Sequence, residues 1–264
     1  MSNKSVAVAV LLYGDFLQLA QRCLSSIAPV LTDNTSLLIG MNAVSPATKQ
    51  YVYDTYGDTA FIFDSVTNIR KYPMMRHMFY DVEWGANRSD YVMWFDDDSF
   101  IKPAARTGTF INDIVNELES AGDILGREYR IKLQGQQHTW VTQQEWYTAS
   151  PAITEKASVG FLTGGWWVVK TSVIQKLNYP WETLTHNGGD VMLGIACQQA
   201  GYKLVQHKAN TVAVNADVNG VESRAARRGL SEPPVGKYAG AAIMNAGTTP
   251  VADTVTVITD TGLI

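Results

Sequence analysis

A chain of 264 residues, 46% hydrophobic and 17% charged, holds enough apolar side chain for one large domain or two small ones, and its composition excludes a disordered or fibrous protein. Its net charge of −4 gives no broad basic footprint, so bulk charge does not announce nucleic acid as a partner, although a local basic groove remains open. The two cysteines, Cys23 and Cys197, each lie among apolar neighbours at helix-like spacing and read as buried thiols rather than a disulfide.

After Met1–Ser5, the apolar segment Val6–Tyr13 reads as a strand. It is too short to span a membrane, no small-residue cleavage site follows it, and no later stretch approaches the roughly 18 apolar residues a span needs. The expected location is the cytoplasm, which for a viral protein means that of the host. Asp15–Ile27 follows as an amphipathic helix with Leu17, Ala20, Cys23, Leu24 and Ile27 on one face. Ser36–Met41 is a second strand, and Ser45–Tyr56 a helix with Ser45 as cap and Pro46 at its first position. Thr59–Phe63 is a third strand, Pro73–Gly85 a helix and Asp90–Phe95 a fourth strand. This alternation predicts an α/β fold with a mostly parallel sheet flanked by helices. No element is assigned between Ile101 and Gly126. From Gly126 to Val159 the chain is rich in Gln, Thr, Trp and Tyr and reads as an irregular, aromatic-rich insertion or a small hairpin. Phe161–Val169 is a glycine-interrupted strand, Thr171–Leu177 and Asp190–Ala200 are helices, the second ended by Gly201, and Tyr202–His207 is a last strand. The tail after Ala239 is small, apolar and nearly uncharged, which suits a subunit contact or disorder.

Tyr91-Val92-Met93-Trp94-Phe95-Asp96-Asp97-Asp98-Ser99-Phe100-Ile101 is the most informative stretch. Three adjacent carboxylates between apolar runs cost several kcal/mol unless a counter-charge meets them. A hard divalent cation supplies one, and Mg²⁺ or Mn²⁺ prefers oxygen ligands of this kind. A solvated acidic turn would carry a polar flank, whereas Val-Met-Trp-Phe reads as a buried strand emptying its carboxyl end into a site. In parallel sheets ligands collect outside those ends, so Tyr13-Gly14-Asp15 and the acidic triplet are expected to face one crevice.

The order of these parts resembles the GT-A-fold glycosyltransferases, which use nucleotide-sugar donors. Four features between about residues 6 and 210 carry the resemblance. Val-Ala-Val-Leu-Leu-Tyr-Gly-Asp with the following Phe16–Ile27 is similar to the first strand and helix of family 2 enzymes. Phe95-Asp96-Asp97-Asp98-Ser99 matches the DxD motif in a fringe-like form. Thr163-Gly164-Gly165-Trp166-Trp167-Val168-Val169-Lys170 resembles the glycine-rich acceptor-side strand, and Gly188-Gly189-Asp190-Val191-Met192-Leu193-Gly194 the acidic element of inverting members.

The resemblance implies a catalytic domain over 1–213, with a nucleotide-sugar-binding half (1–101) and an acceptor half (126–213), and a C-terminal extension over 214–264. It implies Mn²⁺ or Mg²⁺ and a nucleotide-diphosphate sugar, UDP-linked in the first instance. Asp98 would bind the metal, Asp96 the ribose or the metal's water shell, and His207 would be a second ligand, although a strand-end histidine also suits a structural role. Asp97, Tyr13 and Gly165 belong with the donor site. Asn42 stands where the family often has an Asp reading the nucleobase. Arg70, Lys71 and Arg76 would face the donor, or form a solvated helix start. Trp166 or Trp167 would stack on the acceptor while the other joins the core. Asp190 would be the general base of an inverting displacement, or only a helix cap; Gly189 replaces the acidic residue that usually precedes it. The acceptor hydroxyl would belong to a glycan, a protein or a hydroxymethylated base in DNA, as some viral transferases use; Arg224, Arg227, Arg228 and Lys237 would suit a phosphate backbone. A nucleotide-sugar-binding scaffold without turnover is the rival from another class, and a phosphotransferase or nucleotidyltransferase a third; no P-loop is present.

Overall fold

Residues 4–148, 153–184 and 188–220, together with the backbone of 256–258, are described in a computed structural model of the chain. The Arg224, Arg227, Arg228 and Lys237 cluster lies outside these residues. The first half alternates as its hydrophobic pattern predicts: β1 (Val6–Tyr13), α1 (Leu17–Ile27), β2 (Thr35–Asn42), α2 (Pro46–Tyr56), β3 (Ala60–Ser65), α3 (Lys71–Tyr80) and β4 (Tyr91–Asp96). Ser45 caps α2 by accepting the Thr48 amide at 3.3 Å. Helix α3 is shorter than its apolar pattern and ends at Asp81, whose carboxylate draws the amides of Glu83 and Trp84 into a turn at 3.0 and 2.8 Å.

The second half is more regular than its composition suggests. It contains β5 (Phe100–Ile101), α4 (Phe110–Ala121), β6 (Ile124–Lys132), α5 (Gln136–Thr142), β7 (Ser158–Lys170), α6 (Thr171–Leu177), α7 (Gly189–Gln199), β8 (Leu204–Gln206), β9 (Val212–Ala213) and β10 (Thr256–Ile258). The aromatic-rich region is therefore not an irregular insertion throughout. Its flanks are the two long antiparallel strands β6 and β7, and only the connection between them departs from the sheet. Polar residues at alternate positions of β6 disguise it, because part of its length has one solvated face.

The main sheet runs β10-β3-β2-β1-β4-β7-β6-β8, with β3, β2, β1 and β4 parallel and β7 antiparallel to β4; β5 and β9 form a separate ribbon. Strand β1 is buried on both faces. Val6, Val8, Val10 and Leu12 enter the core under α1, α2 and α4, while Ala7, Ala9 and Leu11 enter the one under α3, α6 and α7. The chain leaves β1 toward β2 on one side and returns to β4 on the other, so the strand order reverses between them. Ligand crevices form outside such a switch point. Tyr13 and the acidic triplet both end there, with the Asp97 amide donating to Leu11 O at 3.1 Å. Among the described residues no helix is long and apolar enough to cross a membrane.

Candidate active site

The three carboxylates of the β4 turn have different surroundings. Asp96 receives the Trp94 indole N–H on Oδ1 at 3.0 Å and the Lys71 ammonium on Oδ2 at 2.6 Å. Lys71 comes from the first turn of α3 and also donates to Gly164 O in β7 at 2.8 Å. Asp97 is 2% exposed and accepts the Tyr13 amide at 3.3 Å; Asp98 is 6% exposed, and its backbone carbonyl takes the Ala216 amide at 2.7 Å. Arg22, from α1, stacks on Phe100 at 4.4 Å and donates to the carbonyls of Ala216 and Asp217. Its charge acts on Asp98, Asp217 and Asp97. The counter-charge that the triplet requires thus comes in part from the protein itself, through Lys71 and Arg22.

Oxygen donors at a switch point fit a hard divalent cation, which typically takes one or two carboxylates and completes its shell with phosphate oxygens and water. Asp98, with Asp97 beside it, fits that pattern. Asp96 has one donor on each oxygen, so a role toward metal or ribose would share those oxygens with Lys71 and Trp94. His207 does not join the set. Its Nδ1 meets Glu117 at 2.8 Å and its Nε2 Thr211 at 2.7 Å, beneath the Trp166 ring at 5.3 Å. With both ring nitrogens engaged it is a buried structural histidine rather than the expected second ligand. Among the described residues no group of three or more His, Cys, Asp or Glu side chains is gathered for a metal.

Asp190 opens α7 on the other side of Lys71. Burial raises the pKa of its carboxyl, opposed by the Lys71 charge and by backbone amides that include Val191 and Gly164; the Val191 amide lies 3.0 Å from Oδ1. Gly164 lies beside Lys71 and Asp190, and a Cβ there would stand 3.2 Å from Lys71 Nζ and 3.6 Å from Asp190 Cβ. Gly165, the glycine predicted to border the donor, instead meets the segment after β9: a Cβ would lie 2.9 Å from Val214 and 3.0 Å from Ser99 Oγ, and closer still to Asn215 Oδ1. Asn215 ties this segment down through Thr163 Oγ1 at 3.0 Å. Gly165→Ala is therefore expected to destabilise the fold by about 1–3 kcal/mol through overpacking, and a urea melt showing no loss would refute this packing.

The other predicted residues divide. Tyr13, Asn42 and Arg70 converge: Asn68 donates to Tyr13 Oη at 3.2 Å, accepts from Asn42 at 3.2 Å, and accepts the Arg70 amide at 2.9 Å, where Arg70 has φ of +77°. Asn42 is buried, and its own oxygen takes the Ile69 amide at 3.0 Å, so its amide organises the loop rather than facing a base. Arg76 is committed elsewhere, to Asn178, Pro180 O and Glu182 at 3.1, 2.7 and 3.0 Å. Trp166 is 1% exposed against Phe95, and Trp167 is stacked with Trp94, so both are core and neither offers a face to an acceptor. Lys71, noted in the sequence only as part of a basic patch, pairs with Asp96 and places its charge near Asp190. In the sequence Gly164 and Arg22 stand out only as parts of longer segments, and Tyr72 and Tyr179 not at all; their places depend on which strands and helices meet.

No protein-family model and no curated protein matches the chain in sequence. Solved structures do match in fold. A mannosyltransferase from Pyrobaculum calidifontis, PcManGT, in complex with GDP-Man and Mn²⁺, aligns with a TM-score of 0.51 at 15% identity, over 77% of this chain and 55% of that one. Residues 1–349 of S. aureus TarS align with a TM-score of 0.50 at 13% identity, over 79% and 59%. The chain thus spans somewhat more than half the length of each, and the likeness establishes the α/β fold.

Proposed function

We propose that this chain is a GT-A glycosyltransferase that moves a sugar from a nucleoside-diphosphate donor to an acceptor hydroxyl with inversion, and that Asp190 is its general base. The observation that carries the reading is the line Asp98–Asp96–Lys71–Asp190 across the switch point: acidic oxygens on one side, one lysine between, and a half-buried carboxylate on the other. Asp190 takes the proton of the acceptor hydroxyl, whose oxygen forms the new bond to the anomeric carbon. The bond from that carbon to the phosphate oxygen breaks, and its electron pair leaves with the diphosphate. Asp98 and Asp97 would hold Mn²⁺ or Mg²⁺, which when bound neutralises charge on the departing diphosphate. Lys71 stands where it can meet the same oxygens, and the Tyr13–Asn68–Asn42 network would border the nucleoside. The mannosyltransferase that shares the fold carries GDP-Man and Mn²⁺, which supports a metal-assisted nucleotide-sugar reaction. UDP-sugars are the first donors to test, from the family resemblance, and GDP-sugars the second, from the mannosyltransferase complex.

The test is a thermal-shift screen of the purified chain with Mn²⁺ and UDP-, GDP-, CMP- and dTDP-sugars, followed by donor hydrolysis. One donor should raise the melting temperature only with metal, and Asp98→Ala should abolish that rise. No shift with any donor would sink the reading.

A further inference from the structure

We propose that Tyr72, braced by Tyr179, is a positioning residue that sets the direction of the Asp190 carboxylate, and that Gly189 is a glycine because the Tyr72 ring fills its side-chain space. The inference rests on the assignment of Asp190 as base.

Helix α7 begins with Gly188 as its cap, at φ of +71° and without a side-chain cap. A start without a side-chain cap has its position set from outside the helix. The outside contacts come from α3 and from the loop after α6: Tyr179 donates its hydroxyl to Gly189 O at 3.3 Å, and the Tyr72 phenol packs against Gly189, its oxygen 2.5 Å from where a Cβ would stand. The Cα and carbonyl of Gly189 and the amide of Asp190 belong to one peptide unit, so the two phenols hold that unit from two sides and fix where the next bond, Cα–Cβ of Asp190, points. Both tyrosines are buried, and their rings meet edge to face at 6.2 Å.

A Cβ on Gly189 would lie 2.5 Å from Tyr72 Oη and nearer still to the ring carbon that bears it. The ring cannot swing aside, since Tyr179, Lys71 and the core under α3 surround it. Any residue larger than glycine at 189 must displace the phenol that holds Asp190. This explains the departure from the family pattern at that position: the space of an acidic side chain is occupied by Tyr72, which leaves Asp190 as the carboxylate of this element. Tyr72 follows Lys71 directly, so one turn of α3 delivers both the cation beside Asp190 and the phenol behind it.

The experiment compares Tyr72→Phe, Tyr72→Leu, Gly189→Ala and the Tyr72→Leu/Gly189→Ala pair with the wild-type full chain. Tyr72→Phe keeps the ring and removes the oxygen. It should lower kcat by about 10- to 100-fold, the scale of a small misplacement of a catalytic group, with the donor KM within about twofold. In thermal melts, Gly189→Ala should lower Tm in the Tyr72 background and lower it less in the Tyr72→Leu background. Unchanged kcat in Tyr72→Phe, or equal losses of Tm from Gly189→Ala in both backgrounds, would overturn the inference while leaving the transferase reading intact. A wild-type chain without transfer to any acceptor, or full turnover in Asp190→Asn, would overturn the assignment of the base, and the positioning role with it.

Discussion

Replacing Asp190 with asparagine is expected to lower the transfer rate by about 10²–10⁴-fold, the range general-base catalysis supplies, while donor affinity stays within a factor of about three. The substitution keeps shape and one acceptor oxygen while removing the capacity to take a proton together with the carboxylate charge that Lys71 faces. The same variant should be more stable than the wild type at neutral and alkaline pH. Burial raises the folded-state pKa of Asp190, so the folded chain holds the proton more tightly than the unfolded chain does. The stabilisation that goes with this is complete below the ordinary aspartate range, about 4, and disappears as pH rises through the raised folded value. Above it, a charged carboxylate sits in a desolvated place that an amide tolerates better. Melting curves should show Asp190→Asn above wild type at pH 8 and the gap closing toward about pH 4, with each kcal/mol worth roughly 2–4 °C for a chain of this size. A variant that is slower and less stable at every pH would mark Asp190 as a helix cap alone. One that is slower and more stable has the signature of a functional group kept at a cost to the fold.

Much of this arrangement is legible in the amino-acid order, and the limits have physical causes. Strands such as Val6–Tyr13 and Tyr91–Asp96 are buried on both faces and announce themselves as unbroken apolar runs that empty into polar turns. Helix α4 has the same clarity, with Phe110, Ile111, Ile114, Val115 and Leu118 on one face, although no motif draws attention to it. Strand β6 is disguised because Arg127, Glu128 and Arg130 interrupt it. In the site, the acidic turn and Asp190 are visible as residue types in a pattern. What sequence does not give is which side chains have already found partners. Asp96 is held by Trp94 and Lys71, His207 by Glu117 and Thr211, Arg76 by the 178–182 loop and Asn42 by Asn68. Apart from Trp94 and Thr211, which lie two and four residues from Asp96 and His207, these partners come from other parts of the chain, and only the fold decides whether a chemically suitable residue faces the crevice or is consumed inside the protein.

Lys71 is the residue through which the two halves of the site meet, and Lys71→Met should reveal that by moving the pH profile. In the wild type, burial drives the Asp190 pKa up and the Lys71 charge brings it part of the way back. Removing the ammonium leaves burial with one opponent fewer, so Asp190 retains its proton to higher pH. A base must be unprotonated to act, so the acidic limb of kcat/KM should shift to higher pH, with activity recovered as pH rises past the new limb. A shift of one unit would correspond to about 1.4 kcal/mol of lost interaction. Asp96 loses its ion-pair partner in the same variant and keeps the Trp94 indole N–H, so stability should fall by roughly 1–3 kcal/mol, the cost of leaving a largely buried group short of a partner. Divalent cation should offset part of that loss, because a metal shared by the acidic turn replaces charge that Lys71 supplied; EDTA should remove the offset. Lys71→Arg keeps the charge but presents a planar fork to two acceptors spaced for an ammonium, so it should leave the pH limb near its wild-type position while lowering the maximum. An acidic limb that stays put in Lys71→Met, or moves to lower pH, would mean that Lys71 does not act on the residue that limits the rate, and Asp190 would lose its claim to be that residue.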